Sequence, residues 1–229
     1  MTTIVVLQPG YLPWLGFFDQ MLRSSVFVYY DDVQYDKHGW RNRNRIKSPT
    51  GPIWLTVPVL STGRHGQSIK DVEIDNRLPW ARKHISTIFQ YYAKASHTKR
   101  YLPQLEELLM RRWESLVELD LATTELICDW IKIHRQIERS SQLGIKGEQS
   151  RRLLDICKHF QADHYLSGDS AQNYLDTELF AQEGVAVEWQ SYRHPSYPQL
   201  YGEFTPYLSA IDLVMNVGEE SLQVLMEQK

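Results

Sequence analysis

The chain has 229 residues, of which 42% are apolar and 23% are charged, and its formal net charge is −3 at pH 7. This composition is typical of a soluble globular protein with one domain or a main domain and a subdomain, and we expect one compact unit. The slight acidity gives no support to a protein that binds nucleic acid over its whole surface. The apolar content likewise gives no support to a disordered chain.

No stretch of the sequence approaches the roughly 18 apolar residues of a membrane span. Residues 1–3 lead directly into the apolar run IVVL, without the basic region and apolar core of a secretion signal. We therefore expect a cytoplasmic protein without membrane insertion. Cys128 and Cys157 lie in helix-like apolar patterns, so we expect two buried free thiols.

The N-terminal part of the chain predicts a βαβ unit. Residues 3–7 are a fully apolar strand-like run, residues 14–23 carry apolar side chains at helical spacing, and residues 26–33 are β-branched and aromatic. Strand, turn, helix and strand within about 30 residues is the size of such a unit.

The middle of the chain has a different character. Residues 34–75 predict a β-rich insertion or lid, with strands at 54–59 and 69–75 and a mobile loop at 61–67. Residues 80–140 predict a helical segment, with helices at 80–92 and 101–113 and a third that begins at 116–119, passes through Ile131 and stops near Gly144.

The last third predicts a further α/β unit. Helices are expected at 150–160, 173–184 and 208–214, the last being the final helix, and strands are expected at 164–168 and 185–192. Together these elements predict a single α/β domain over residues 1–229. We expect it to be Rossmann-like, with a mostly parallel sheet and helices on both faces.

The strongest local charge feature is KHGWRNRNRIK, which runs from Lys37 to Lys47 and holds five cations in eleven residues. If the segment is extended, its arginines and Lys47 share one face and Asn42 and Asn44 share the other. Guanidinium groups bind phosphate or carboxylate in a bidentate manner, so the segment predicts anion binding. A solvated charged loop and contact with an RNA backbone are the alternatives.

Asp31 and Asp32 follow the second strand, at the edge where open α/β sheets bind their ligands. Adjacent strand residues point to opposite faces, so at most one of the two faces a site. Three interpretations stay open: metal ligation, a general base, and pairing of Asp31, Asp32 and Asp36 with arginines of the neighbouring Lys37–Lys47 segment.

The segment YRHPSYPQLYGEF, Tyr192 to Phe204, follows a predicted strand and is rich in proline and tyrosine. Tyrosine rings with their hydroxyl groups suit a base or a sugar, and His194 could act as a general base near neutral pH. A stiff connection that is packed by its own aromatic rings is the alternative.

Residues 167–170 carry hydroxyl groups, a glycine and an aspartate before a helix, where they could cap the helix or hold an anion. Residues 140–154 join hydroxyl groups and glycines to Lys146 and Arg151 ahead of a helix, so they are a candidate phosphate site. The chain lacks the motifs GxxxxGK[ST], GxGxxG, GxSxG and HExxH and has no pair of CxxC motifs. These absences argue against a P-loop NTPase, an ordinary dinucleotide enzyme, a serine hydrolase and a structural zinc site.

Six motifs in order resemble the WbqC-like protein family from about Leu7 to Gly218: LQPGYLPWLGFFDQM, DDVQYDKHGWRNRNRIK, WLTVPV, LSG, HPSYPQ and LSAIDLVMNVG. This resemblance implies association with bacterial O-antigen and other surface-polysaccharide clusters. It therefore implies work on nucleotide-linked sugars, with acylation or aminoacylation of an amino sugar as the reaction. Gly10 stands at a variable place of the first motif and is given no role.

The first turn has a second resemblance. Pro13 and Gly16 at a helix start are similar to the nucleotide-binding turn of the nucleotidylyltransferase and class I synthetase superfamily. The usual histidine pair of that superfamily is missing at this turn, which counts against nucleotidyl transfer.

The leading hypothesis is a transferase that binds a nucleotide or nucleotide-sugar in a crevice. Asp32 or His194 would move a proton, Tyr11 and Trp14 would stack on a ring, and Arg41, Arg43 and Lys47 would hold phosphates. The predicted ligand-binding residues are Gln8, Tyr11, Trp14, Gln34, Lys37, Trp40, Arg41, Asn42, Arg43, Asn44, Lys47, Ser167, Tyr197 and Gln199.

Three alternatives accompany this hypothesis. The first is a non-catalytic nucleotide-sugar-binding or scaffold protein of the same pathway, and the second is nucleotidyl transfer. The third is a transferase that takes an aminoacyl group, such as glycyl, from aminoacyl-tRNA. The sequence identifies no cofactor and no metal site, and a homo-oligomer is compatible with it.

Overall fold

The computed structural model describes residues 1–227. Its strands are β1 (Thr3–Leu7), β2 (Val26–Tyr29), β3 (Arg43–Ser48), β4 (Gly51–Thr56), β5 (Gln136–Arg139), β6 (His164–Ser167) and β7 (Ala186–Trp189). Its α-helices are α1 (Leu15–Arg23), α2 (Trp80–Tyr92), α3 (Thr98–Leu109), α4 (Leu116–Ile131), α5 (Gln149–His159), α6 (Thr177–Gln182), α7 (Ala210–Val217) and α8 (Ser221–Met226).

The chain divides into two compact units. Unit 1 comprises Met1–Gln8, Gly16–Asp32 and Arg135–Arg193. Unit 2 comprises Pro9–Leu15, Val33–His134 and the described residues from His194 onward. This division does not test the prediction of a single domain with a β-rich insertion or lid.

Unit 1 contains a five-stranded sheet in the order β5-β2-β1-β6-β7, and every neighbouring pair is parallel. Numbered along the chain, these strands have the order 3-2-1-4-5 of a Rossmann sheet. β1 is central: Ile4 lies opposite Val26 of β2, and Thr3 lies opposite His164 of β6.

Helices cover both faces of this sheet. On one face, Phe17 of α1 packs against Phe27 and Tyr29, with ring centroids 5.0 and 6.2 Å apart. The other face carries a core of Ile4, Val26, Val28 and Tyr165 under apolar residues of α5 and α6. Because side chains alternate along a strand, both faces of the central strands are apolar. The predicted Rossmann-like fold with helices on both faces is confirmed.

Unit 2 joins a β-hairpin to a group of helices. β3 and β4 pair antiparallel, with Arg43 opposite Thr56 and Ser48 opposite Gly51. α3 packs against α2, α4 and α7. The leucines of its LxxLxxLL pattern, Leu102, Leu105, Leu108 and Leu109, are buried, so this pattern belongs to the core.

The expected strand at 69–75 is wrong. Ile69–Asp71 is a 3-10 helix, and Glu73 and Ile74 make isolated bridges. Ile69 and Val72 are both buried, and this spacing of three residues suits a 3-10 turn better than a strand. Pro58 lacks the amide hydrogen that a longer ladder beside Ile74 would need.

Two helix predictions also need correction. The segment after α4 was expected to remain helical toward Gly144, but Lys132 adopts a left-handed conformation (φ 61°) and ends α4. β5 follows as an edge strand of polar sequence, QIER, which carries little strand signal. Gly218 ends α7, yet α8 follows it, so the expectation that this helix is the final one is wrong.

Both cysteines are buried free thiols, as predicted, and burial raises the pKa of each to about 12. Within residues 1–227, no helix is long and apolar enough to cross a membrane.

Candidate functional site

The carboxyl edge of the unit 1 sheet brings two predicted site residues to neighbouring strands. Gln8 directly follows β1, and Ser167 ends β6, the strand beside it. The chain builds the sheet outward from β1 to β5 and then returns to place β6 beside β1. The topological switch point of the sheet therefore lies between these two strands, where ligands of open α/β sheets bind.

Asp31 and Asp32, beyond β2, are held by residues at the end of β5, directly after β5 and on α5. Asp31 is fully buried and accepts hydrogen bonds from Arg139 Nε at 2.8 Å and Ser141 Oγ at 2.8 Å. Asp32 accepts one from Ser140 Oγ at 2.6 Å and pairs with Arg152. Of the three interpretations of these aspartates, pairing with arginines is observed. Asp31 pairs with Arg139 and Asp32 pairs with Arg152, and neither arginine belongs to the Lys37–Lys47 segment.

The electrostatics of Asp32 follow from these contacts. Burial opposes ionisation of the carboxyl, but hydrogen bonds from Arg152 and Ser140 outweigh burial, so the pKa of Asp32 is lowered. A carboxylate with a lowered pKa is a weak proton acceptor at neutral pH. The Arg152 guanidinium also lies 5.1 Å from the centroid of the Tyr30 ring and donates to the carbonyl of Ile145. Asp32 thus fixes Arg152, which in turn holds the loop before α5.

A buried amide network joins the end of β7 to α1 in unit 1. Gln190 Nε2 donates to the carbonyl of Gly16 at 2.7 Å and to Asp19 Oδ2 at 2.8 Å. Gln190 Oε1 accepts from Gln20 Nε2 at 2.7 Å. Every polar atom of the Gln190 side chain is therefore used. Sequence reasoning missed this residue, because it lies inside the strand expected at 185–192, whereas the observed β7 ends at Trp189.

Residues 9–14 of the QPGYLPW motif lie in unit 2 and are hydrogen-bonded to the Lys37–Lys47 segment. The amide of Tyr11 donates to the carbonyl of Arg41 at 2.9 Å, and Arg41 Nη1 donates to the carbonyl of Pro9 at 3.0 Å. Asn44 Nδ2 donates to the carbonyl of Leu12 at 2.8 Å. Arg41 and Asn44, predicted as ligand contacts, therefore shape this loop.

Tyr11 itself is fully buried, between Trp80 and His84. No part of the Tyr11 ring is exposed, so Tyr11 packs as a core residue, and its stacking on a ligand ring stays a prediction. His84 Nε2 lies 3.2 Å from the carbonyl of Thr56, which can only accept, so His84 Nδ1 accepts from Tyr11 Oη at 3.0 Å. Burial lowers the pKa of His84 to about 4. Trp14 contacts Tyr207, with centroids 5.7 Å apart.

Residues of β3, β4 and the preceding loop form what we call the Arg–Trp surface: Trp40, Arg43, Arg45 and Trp54. Trp40 and Trp54 are 42% and 46% exposed, and their centroids lie 4.9 Å apart. The Arg43 guanidinium lies 4.6 Å from the Trp54 centroid, and that of Arg45 lies 5.2 Å from the Trp40 centroid. Within this segment Arg43 and Arg45 are half-buried whereas Asn42 and Asn44 are buried, which fits the predicted alternation, but Lys47, predicted on the face of the arginines, is buried as well.

Three predicted residues meet around a carboxylate that the sequence did not indicate. Asp212 accepts from Tyr92 Oη at 2.6 Å, Tyr197 Oη at 2.8 Å and Gln199 Nε2 at 2.8 Å. Lys47 Nζ donates to Gln199 Oε1 at 3.1 Å. Burial raises the pKa of Asp212, although its three hydrogen bonds and Lys47 oppose the rise. Lys47 is buried, so its role is structural and not the capture of an exposed phosphate.

His194 lies among aromatic rings of unit 2, with centroids 5.3 Å from Tyr207 and 5.5 Å from Phe204. Its Nδ1 lies 2.8 Å from the carbonyl of Pro195, which can only accept, so Nδ1 carries a proton. Burial lowers the pKa of His194, which keeps the ring neutral at pH 7.

The remaining predicted residues lie at the hairpin or at a surface pocket. Asn42 Nδ2 donates to the carbonyl of Val57 at 2.8 Å, which makes it a structural residue of the hairpin. Gln34 and Lys37 line a pocket of about 540 Å³ together with residues of the 61–67 loop. Gln8, Asp32 and Ser167 belong to unit 1, and all other predicted site residues, His194 included, belong to unit 2.

Comparison with known proteins adds three findings. The family model described as "WbqC-like protein family" matches residues 8–224. The chain is 34% identical over 223 residues to "Uncharacterized protein Rv1507c" of Mycobacterium tuberculosis, covering 96% of each chain. No solved structure matches the chain. Since the family model spans nearly the whole sequence, the chain belongs to the WbqC-like protein family.

Proposed function

We propose that this protein is a transferase that binds a nucleotide-linked amino sugar at the carboxyl edge of the unit 1 sheet and transfers an acyl or aminoacyl group to the sugar. Membership in the WbqC-like family suggests a role in polysaccharide biosynthesis, here of bacterial surface polysaccharide such as O-antigen. Nucleotide-linked sugars are the substrates that such a role requires.

The observation that carries the proposal is the strand order of unit 1. Its five parallel strands have the order of a Rossmann sheet, and the switch point lies between β1 and β6. Gln8 offers an amide that can both donate and accept, and Ser167 offers a hydroxyl group. Ribose hydroxyls and phosphate oxygens are suitable partners for both groups.

The two residues predicted to move protons differ in suitability. Asp32 is bound by Arg152 and Ser140 and has a lowered pKa, so positioning of the loop before α5 suits it better than proton abstraction. His194 has a lowered pKa, which favours the neutral form that a general base requires, although Nε2, the nitrogen that would accept the proton, is buried; its role as the base stays a prediction.

Calorimetric titration of the full chain with a panel of nucleotide-sugars, among them UDP-N-acetylglucosamine, dTDP-glucose and GDP-mannose, tests the proposed site. We expect binding of at least one, weakened about tenfold by Gln8→Leu, because the isosteric change removes one or two hydrogen bonds. Gln136→Leu is the matched control, since this exposed glutamine begins β5 at the opposite edge. Equal affinity of both variants for every ligand that binds would contradict the site.

Turnover with the bound nucleotide-sugar separates the reaction classes. Acyl-CoA and aminoacyl-tRNA donors should yield an acylated sugar detectable by mass spectrometry, and ribonuclease should abolish the activity if tRNA is the donor. Binding without turnover for any donor would favour the non-catalytic alternative. Pyrophosphate release from a nucleoside triphosphate and a sugar phosphate would favour nucleotidyl transfer.

A further inference from the structure

The β3–β4 hairpin of unit 2 has one buried face and one open face. Asn44, Ile46 and Leu55 are buried on the first face. Trp54 is exposed on the second, directly opposite Arg45 in the ladder, so both belong to the open face. The Arg–Trp surface therefore lies on a sheet face that the described part of unit 2 leaves uncovered.

Three exposed aromatic rings lie within this surface or beside it. Trp40 and Trp54 remain 42% and 46% exposed even though the guanidinium groups of Arg43 and Arg45 lie over them. Tyr207 is 47% exposed, and its carbonyl accepts from Arg45 Nη2 at 3.4 Å. Single exposed apolar side chains are common, but neighbouring exposed rings form a patch that suits a planar partner.

The positive charges of the surface lack a counter-ion. Within residues 1–227, Arg43 and Arg45 donate to main-chain carbonyls and pair with no carboxylate. A carbonyl accepts a hydrogen bond but carries no net charge. Residues 37–70 contain seven lysines and arginines and no acidic residue, in a chain whose net charge is −3. The surface is therefore a positive region on a slightly acidic protein, which favours an anionic partner.

Planar rings and unpaired cations together favour one class of ligand. A neutral sugar can stack on tryptophan but leaves both guanidinium charges uncompensated. An acidic peptide compensates the charges but brings no regular series of planar groups to the rings. A single-stranded nucleic acid alternates planar bases with phosphates, so it supplies a partner for each kind of group. In a duplex the bases stack on one another, so only the phosphates would be available.

We propose that the Arg–Trp surface binds a short segment of single-stranded RNA. Bases stack on Trp40 and Trp54, and phosphates bind Arg43 and Arg45. The choice of RNA over DNA rests on the proposed function, because an aminoacyl donor in that reaction is an aminoacyl-tRNA, which carries its aminoacyl group on a single-stranded 3′ end. The surface thus binds the donor, and the sheet edge of unit 1 binds the nucleotide-sugar.

Fluorescence anisotropy of a labelled, unstructured RNA oligonucleotide titrated with the full chain tests the surface. We expect Trp54→Leu to weaken binding about tenfold because a stacking ring is lost, whereas Trp54→Tyr should retain most of the affinity. Phe89→Leu is the matched control, since it removes an exposed ring of α2 outside this surface. Equal affinity of Trp54→Leu and the unaltered chain would overturn the proposal, as would the absence of RNA binding.

The salt dependence of binding tests the arginines. Arg45→Gln should reduce the slope of the logarithm of affinity against the logarithm of salt concentration by about 0.7, the contribution of one phosphate contact on a single strand. Arg112→Gln changes the net charge equally, but at an exposed arginine that pairs with Glu114, and should leave the slope unchanged. An equal reduction in both variants would mean that RNA binds through overall charge, which overturns the assigned site.

Competing ligands test the class of partner. The RNA should bind more tightly than polyphosphate, polyglutamate or maltoheptaose, and at least as tightly as DNA of the same sequence. A preference for any of these four would overturn the choice of RNA. Trp54→Leu should bind nucleotide-sugars normally, and Gln8→Leu should bind RNA normally. Nucleotide-sugar binding without RNA binding would therefore refute this surface alone, and the reverse result would refute the proposed nucleotide-sugar site alone.

Discussion

Asp212 is the residue on which the interior of unit 2 depends most. It is a fully buried carboxylate in the largely apolar helix α7, and its hydrogen bonds reach α2 and the HPSYPQ loop. Lys47 of β3 joins this network through Gln199. Four segments that are distant along the chain are thus held by one side chain.

Replacement of Asp212 should therefore destabilise the folded protein. Asp212→Ala leaves two tyrosine hydroxyls and an N–H of the Gln199 amide without this acceptor and removes the carboxylate charge near Lys47, and we expect a loss of roughly 3 kcal/mol in the free energy of unfolding. Urea denaturation followed by circular dichroism measures this loss. Asp129→Ala, a change at an exposed aspartate of α4, is the control and should stay within about 0.5 kcal/mol. Equal stability of the two variants would refute the assigned role.

His84 makes the stability of the protein depend on pH. Its folded pKa of about 4 lies below the ordinary value of 6.5, because burial disfavours the imidazolium. Between these values the unfolded chain binds more protons than the native protein. The contribution of His84 to the free energy of unfolding is therefore fully present above pH 6.5. It is lost as the pH decreases toward 4, by roughly 3 kcal/mol.

His84→Gln tests this dependence. Glutamine can donate to the carbonyl of Thr56 and accept from Tyr11 Oη, but it does not titrate. The difference in unfolding free energy between the variant and the unaltered protein should shift in favour of the variant as the pH falls from 6.5 to 4. Parallel stability curves over this range would show that His84 does not titrate as described.

The C-terminal end of α7 depends on a glycine for two separate reasons. Gly218 has φ +71°, where an L side chain is strained, and a Cβ there would lie 2.4 Å from the ring of His97. Gly184, after α6, has φ +77° but no atom within 4 Å of the Cβ position. The two positions therefore separate conformational strain from steric overlap.

We expect Gly184→Ala to destabilise the protein by about 1 kcal/mol, through strain alone. Gly218→Ala should destabilise it by more, by roughly 3 kcal/mol, because His97 must also move. Thermal unfolding of both variants gives the comparison. If both variants lose the same free energy of unfolding, the contact with His97 does not add to the destabilisation.

The elements with strong periodic patterns could be predicted from sequence, and the weakly patterned ones could not. β1 and β2 are apolar runs that are buried on both faces, and α1 shows its buried face in Phe17, Phe18 and Met21. β5 contains one apolar residue among four and is held as an edge strand by its ladder to β2. Such a strand is defined by its partner and not by its own residues.

The same reasoning explains which site residues were misjudged. The alternation of Arg43 and Arg45 with Asn42 and Asn44 could be predicted because it is local. That Asn44 binds a carbonyl of the first loop, and that Lys47 approaches Asp212, depends on residues far away in the chain. Gln8 and Ser167 could be placed at strand ends from sequence, because strand ends are marked by local changes in pattern.

At the level of the whole molecule, the chain passes between the two units five times, at residues 8–9, 15–16, 32–33, 134–135 and 193–194. Neither unit is a continuous stretch of chain. The sheet of unit 1 likewise depends on distant strands, because β1 pairs with β2 nearby and with β6 after a long separation.

A chain shortened to residues 1–160 should therefore fail to fold cooperatively. It lacks β6 and β7, so the fully apolar β1 would become an open edge that favours aggregation. Size-exclusion chromatography and circular dichroism compare it with the full chain. A monomeric fragment with a sharp unfolding transition would show that the first two-thirds of the chain fold independently.

The central position of β1 also has a consequence for synthesis on the ribosome. Its register partner in β6, His164, is 161 residues later than Thr3 (164 − 3). At about 5–20 residues per second, translation leaves one side of this apolar strand unpaired for roughly 8 to 30 seconds. The nascent chain is thus a substrate for chaperones that bind exposed apolar segments, and the earliest-made strand of the sheet is among the last to acquire both of its neighbours.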